Sequence, residues 1–332
     1  MKQVKFITGL MAFGVVSLFA GCGEKENEMT KVTLNEVAHS IFYAPQYVAL
    51  ENGYFTQEGI DLDLVTGYGA DKTMAAVISG EAQIGFMGAE ASVYAYLEGA
   101  NDPVINFAQG TQRAGNFLVA REEMADFQWS DLKGKEVLGG RKGGMPEMVF
   151  EYILKENGLD PAKDLSIDQS IDFGSTAAAF SGGKGEFTVE FEPAATTLEK
   201  NGDGFVVASL GVDSGYVPYT SYRAKTSYVE KHPEIIQAFT DGLQKGVDYV
   251  NSHTAEEIAK VIQPQFKEND LDTITRIVER YQSQDTWKEN LVFEKESFEL
   301  LQDILESAGE LEKRADYEKL VTTIYAKEAM KK

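Results

Sequence analysis

From Lys31 to about Tyr222, short apolar runs alternate with segments of helical period, and this alternation limits the fold more than any other feature of the chain. Val32–Val37, Asp61–Thr66, Gln83–Met87, Val104–Gln109, Asn116–Arg121, Glu136–Gly139, Phe187–Phe191 and Phe205–Ser209 read as strands. Between them Tyr43–Asn52, Lys72–Ser79, Ser92–Glu98, Pro146–Asn157 and Ser175–Ser181 read as helices. Gly53, Gly80, Gly99, Gly158 and Gly182 follow their last turns, where a left-handed residue ends a helix at least cost. Pro146 stands where a first helical residue is expected. Such alternation predicts an α/β protein with mainly parallel sheets.

Beyond Lys231 the pattern is helical only. His232-Pro233-Glu234 opens a helix to about Val250, and Thr254 with Glu257 forms a capping box for the next. Leu271–Gln284, Ser297–Ser307 and Tyr317–Met330 follow, and these helices are expected to wrap a lobe as structure rather than as site.

One layout occurs twice. Met74-Ala-Ala-Val-Ile-Ser-Gly-Glu-Ala-Gln-Ile-Gly-Phe-Met87 is a helix, a glycine turn and a strand, and Ala177 to Phe191 has the same plan. An acid follows each strand near a helix start, Glu90 in the first and Glu192 in the second. Chance likeness between two common units is one explanation. The other is two similar lobes presenting strand ends and helix starts to a shared cleft, where open α/β sheets bind ligands.

The N-terminus is a separate element. Lys2 and Lys5 precede an apolar run from Phe6 to Gly21, too short for a comfortable span of ~20 residues, so it reads as an export signal. Leu18-Phe19-Ala20-Gly21-Cys22 resembles the lipobox of bacterial lipoproteins, with Phe19 where an aliphatic residue is usual. That resemblance implies a diacylglycerol on Cys22, the single cysteine of the chain. Gly23 to Thr30 is polar and suits a flexible tether. One cysteine also excludes an internal disulfide. A net charge of −22 disfavours nucleic acid, whose phosphates require Lys and Arg.

Catalytic and metal signatures are missing. His39, His232 and His253 make no zinc-ligand spacing, and no Gly-x-Ser-x-Gly elbow or Walker loop occurs. Gly67-Tyr-Gly-Ala-Asp-Lys72 begins like a dinucleotide fingerprint but has Lys72 in place of the third glycine. His39 ends the first strand and is the histidine of interest.

Tyr43-Ala-Pro-Gln-Tyr-Val-Ala-Leu-Glu-Asn-Gly-Tyr-Phe-Thr-Gln-Glu-Gly-Ile-Asp-Leu-Asp-Leu64 resembles the opening of one family of solute-binding proteins. That family serves ABC importers of nitrate, taurine, other sulfonates and pyrimidine precursors of thiamine. Ser79-Gly-Glu-Ala-Gln-Ile-Gly85 resembles its Gly-Glu/Lys-x-Asp-Ile-Gly step, with Gln83 where Asp is commoner, and Phe191-Glu-Pro193 its second-lobe Trp/Phe-Glu-Pro step. The matches cover roughly residues 31–250. The resemblance implies an α/β, two-lobed periplasmic-binding-protein-like fold of type II. Each lobe is then a mainly parallel sheet flanked by helices, with the C-terminal helices on lobe 1. The expected division is 1–21 signal peptide, 22–30 tether, 31–112 with 217–332 as lobe 1, and 113–216 as lobe 2. The crossings are placed near Thr111–Gly115 and Gly211–Val217. Eukaryotic thiamine-pyrimidine synthases share this fold but carry a cysteine-rich motif that this chain lacks.

The resemblance implies a monomeric, non-enzymatic lipoprotein outside the cytoplasm, with no cofactor or metal, that hands a small solute to a membrane permease with a cytoplasmic ATPase. A sensor lipoprotein and an enzyme on the same fold are the alternatives. Two ligand classes compete for the cleft. An oxyanion would use the Gly143 and Gly144 amides with Ser175, Thr176 and Arg141. A nitrogenous aromatic would stack among Phe42, Tyr43, Tyr68 and Tyr219 and donate to Glu90 and Glu192. Two acids and many aromatics at the strand ends favour the second. Arg141 pairing with an acid, Glu90 or Glu192 capping a helix, and Tyr43 or Tyr219 serving as packing are the structural alternatives.

Overall fold

The computed structural model describes residues 29–140, 142–171 and 174–332. The signal peptide, most of the tether, Cys22, Arg141 and Phe173 lie outside the described residues. Ten strands form two sheets: β1 (Thr30–Glu36), β2 (Ile60–Thr66), β3 (Ile84–Gly88), β4 (Val104–Thr111), β5 (Asn116–Ala120), β6 (Glu136–Leu138), β7 (Ser166–Asp168), β8 (Phe187–Phe191), β9 (Phe205–Ser209) and β10 (Thr220–Lys225). The first sheet has the order β2-β1-β3-β10-β4 and the second β7-β6-β8-β5-β9.

Each sheet has four strands running one way and one running the other. β10 is antiparallel to both β3 and β4, and β5 to both β8 and β9, while the remaining pairs are parallel. Both reversed strands follow a passage between sheets. The chain leaves the first sheet after β4 and enters the second as β5; it leaves after β9 and returns as β10. The interior strands β3 and β5 are buried along their whole length, as apolar runs covered on both faces should be. β2, at an edge, alternates buried and solvent-facing residues.

The duplicated layout occupies equivalent places. The helix Ala70–Ser79 leads into β3, between β1 and β10; the helix Thr176–Ser181 leads into β8, between β6 and β5. Gly80 ends the first helix at φ 86°, which an L side chain adopts only with strain. The Thr254 capping box forms as expected: the Thr254 hydroxyl accepts from Glu257 N at 3.3 Å, and Glu257 accepts from Thr254 N at 2.9 Å.

Two strands escape the sequence pattern. β7 is only Ser-Ile-Asp, and β10 carries Arg223 in its middle, fully buried. The C-terminal helices lie mainly on the first lobe, as expected, with contacts beyond it. The helix Pro233–Ser252 packs on the helix Ala44–Glu51 of the first lobe, but the helices Leu271–Ser283 and Lys295–Ser307 reach the second as well. Among the described residues no helix is long and apolar enough to cross a membrane.

Candidate functional site

The carboxyl ends of the two sheets face each other, and the reversed strands bring their first residues to that seam. β3 ends at Gly88 and the chain turns directly into the helix Glu90–Leu97. β10 places Thr220 opposite Gly88, and Ala89 N donates to the Tyr219 carbonyl at 3.2 Å. In the second sheet β5 sets Asn116 opposite Phe191, the last residue of β8.

Aromatic rings fill the junction. The Phe42 centroid lies 5.7 Å from that of Tyr219 and 5.9 Å from that of Phe191, and Phe191 lies 6.2 Å from Tyr219. Gly115 permits the approach, because a Cβ there would sit 2.6 Å from the Phe42 ring. Ser40 Oγ donates to the Glu192 carbonyl at 2.9 Å and Tyr94 donates to the Gly143 carbonyl at 3.3 Å, both across the seam. The lobes are shut on one another: Phe42 and Asn116 are fully buried, and Tyr219 is 2% exposed. A cavity of about 10 Å³, room for roughly one water, lies beneath Phe42 and Tyr43.

Glu90 is the charged centre of this junction. Burial pushes its carboxyl up to about 7, while the Arg223 charge and the backbone N–H groups of Glu90, Met145 and Ala91 pull the other way. Met145 is the first residue of the helix Met145–Glu156 in the second lobe, so a lobe-1 carboxylate faces the positive end of a lobe-2 helix. Behind it Arg223 donates through Nη2 to the Met87 carbonyl at 3.0 Å and the Gly88 carbonyl at 2.8 Å. A Cβ on Gly88 would collide with the Glu90 carboxylate. Glu90 Oε2, the Tyr219 hydroxyl and both polar atoms of the Asn116 side chain have no hydrogen-bond partner among the described residues. Burial, with the charge of Glu90 adding to it, raises the Tyr219 phenol well above its ordinary value, so it stays a neutral donor.

The other expected residues are dispersed. Tyr43 is buried edge-on against Phe86 at 4.5 Å. Tyr68 is 68% exposed in a left-handed turn, φ 53°, away from the aromatic cluster. The amide of Gly143 donates to Glu147 at 3.1 Å, and Gly144 caps the same helix. Ser175 is exposed at the start of a helix of only six residues. Thr176 is buried and hydrogen-bonds the Glu190 carboxyl, which burial raises to about 7. Carboxyl groups of the protein itself therefore engage two of the groups expected for an oxyanion, the Gly143 amide and the Thr176 hydroxyl. Glu192 is engaged too: it accepts from Thr196 N at 2.9 Å, from the Thr196 hydroxyl at 3.0 Å and from Arg280 at 2.6 Å. This is the capping alternative, with an ion pair added. His39 joins a buried network through Glu36 Oε1 at 2.9 Å and stacks on Phe266. Among the described residues no group of three His, Cys, Asp or Glu could hold a metal ion.

Sequence reasoning missed Asn116, Arg223 and Arg280. A signal existed for the first two, since each is a polar residue within a strand whose neighbours are buried. Arg280 lies in an amphipathic helix and has no local mark.

Comparison with known proteins agrees with this architecture. A family model described as NMT1/THI5 like matches residues 41–257. "Putative binding protein YtlA" of Bacillus subtilis (strain 168) is 46% identical over 302 residues, covering 91% of this chain and 90% of that one. Among solved structures, the alkanesulfonate-binding protein SsuA from Xanthomonas axonopodis pv. citri, bound to MOPS, superposes with TM-score 0.72 at 16% identity, over 89% of this chain and 99% of that one. The ligand-binding component of an ABC-type import system from Staphylococcus aureus, with zinc bound, gives 0.74 at 16% identity over 91% and 99%. The periplasmic nitrate-binding protein NrtA from Synechocystis PCC 6803 gives 0.70 at 15% identity over 92% and 89%. The fold is thus that of periplasmic binding proteins, and the chain belongs to the NMT1/THI5-like family.

Proposed function

We propose that this chain is the extracytoplasmic solute-binding component of an ABC importer, anchored by lipid on Cys22 and acting as a monomer without cofactor or turnover. Residues 31–112 with 217–332 and residues 113–216 are the units that part and close. Solute bridging both shifts the population toward the closed form, which docks on a permease powered by a cytoplasmic ATPase. The family, the similarity to a named binding protein, and the fold shared with importer components support this reading.

The favoured solute is a nitrogenous aromatic such as a thiamine pyrimidine precursor, ahead of a sulfonate, taurine or nitrate. One observation carries the preference: a buried carboxyl, Glu90, has an unpartnered oxygen at a seam walled by Phe42, Tyr43 and Tyr219. An acceptor inside an aromatic cage suits an amino group and repels an anion. The carboxylates at Gly143 and Thr176 work against an oxyanion in the second lobe.

Calorimetry of the mature protein against aminopyrimidines, taurine, alkanesulfonates and nitrate tests the reading. Micromolar or tighter binding of an aminopyrimidine, unchanged on recovery, is expected. Preference for an anion would reverse the choice of solute, and consumption of the bound compound would replace a carrier with an enzyme.

A further inference from the structure

Resting on the seam as the solute seat, we infer that Asn116 is the residue that selects the solute, by reading a hydrogen-bond donor and an acceptor set side by side on one planar edge.

Asn116 opens a strand that is otherwise Phe-Leu-Val-Ala, and it is fully buried. Neither Oδ1 nor Nδ2 has a partner among the described residues, so both ends of the carboxamide carry their desolvation cost. Its direction follows from the register. Asn116 pairs directly with Phe191, and residues opposite one another across antiparallel strands point to the same face with Cβ atoms about 5 Å apart. The Phe191 ring points at Phe42 and Tyr219 of the first lobe, so the Asn116 carboxamide enters the same seam. On the first-lobe side of the junction Glu90 Oε2 and the Tyr219 hydroxyl also lack partners among the described residues.

A carboxamide offers an acceptor oxygen beside a donor nitrogen, and the group can flip to match either order. One planar heterocycle with a ring nitrogen next to an amino group satisfies both ends together, and a second N–H reaches the carboxylate on the facing lobe. A sulfonate or nitrate presents acceptors only; it leaves Oδ1 facing negative charge and opposes Glu90. An amidinium presents donors only and leaves Nδ2 unmet. The constellation therefore selects an uncharged donor–acceptor edge, and Asn116 contributes the half of the recognition that Glu90 cannot.

The test titrates the mature protein, Asn116→Leu, Asn116→Asp and Glu90→Gln with 4-aminopyrimidine, benzamidine and methanesulfonate, and melts each protein without solute. Wild type is expected to prefer 4-aminopyrimidine. Asn116→Leu should weaken it at least tenfold while melting at or above the wild-type temperature, because an apolar side chain replaces unpaired polar atoms. Asn116→Asp should move the preference at least tenfold toward benzamidine. Equal 4-aminopyrimidine affinity in wild type and Asn116→Leu, with Glu90→Gln weakened, overturns the role of Asn116 and leaves the seat standing. Affinity unmoved by either substitution removes the seat itself. A melting temperature several degrees lower for Asn116→Leu makes the amide structural and overturns the assignment. Wild type that binds methanesulfonate best, or none of the three, also overturns it.

Discussion

Arg280 spans the two lobes: its Nη1 lies 2.6 Å from Glu192 Oε1 and its Nη2 lies 2.9 Å from Glu199 Oε2. Arg280 belongs to the helix Leu271–Ser283, which packs on the first lobe, while both carboxylates belong to the second. Its guanidinium also sits 5.1 Å over the Phe117 ring of β5. Lys200 to Asp270 at 3.1 Å and Lys155 to the Ser307 carbonyl add outer ties between the same bodies.

Removing Arg280 leaves Glu192 buried without its counter-charge. Arg280→Ala should cost about 3–5 kcal/mol in denaturant unfolding, the usual range for a broken buried pair. Glu192→Gln in that background should recover part of the loss. The single variant should also show a larger radius of gyration by small-angle scattering. Equal stability and equal dimensions in wild type and variant would dispose of the clasp.

Glu90 should make stability fall as pH rises. Its folded carboxyl is raised from the ordinary 4.5 to about 7, so the fold binds that proton more tightly than the unfolded chain. The contribution is complete below the unfolded value and disappears as pH climbs through about 7, amounting to about 3 kcal/mol at most. Unfolding measured from pH 4 to 8 should show Glu90→Gln gaining on wild type across this window. Parallel curves would show that Glu90 titrates normally.

Gly115 should tolerate no side chain while Phe42 keeps its place. Overpacking of this kind costs roughly 1–3 kcal/mol. Gly115→Ala should be destabilised within that range, and Phe42→Leu should relieve it, giving a double variant more stable than the two single effects add up to. Strict additivity would mean that the ring and the glycine do not press on each other.

Cys22→Ser should abolish metabolic labelling by palmitate and release the mature protein from the membrane fraction. Retention of both label and membrane association in the variant would refute lipid attachment at this thiol.

The strands most readily read from the sequence were those with apolar runs, and β8 and β9 coincide with the expected Phe187–Phe191 and Phe205–Ser209. The duplicated unit was legible because a helix, a glycine turn and a strand leave a pattern in a single stretch of chain. β10 was hidden because the burial of Arg223 depends on the Met87 and Gly88 carbonyls, far away in the sequence, as well as on Ser221 nearby. The site shows the same division. Glu90 and Glu192 could both be found from their position after a strand, but their roles separate only through partners elsewhere: Glu192 meets Arg280, whereas Glu90 keeps a free oxygen. Asn116 acquires meaning only from the register that sets it beside Phe191.

The reversed strands β5 and β10 have a mechanical consequence. Asn116 and Tyr219 stand where the chain arrives after each passage between the sheets, so these groups at the seam are also those nearest the proposed pivot. A contact made near a pivot works on a short lever arm. A small displacement there becomes a large sweep at the distant rims, where another protein would sense it. In the proposed cycle, occupancy would thereby be converted to shape with mechanical gain, and a substitution at either residue would alter both what is bound and how far the rims travel.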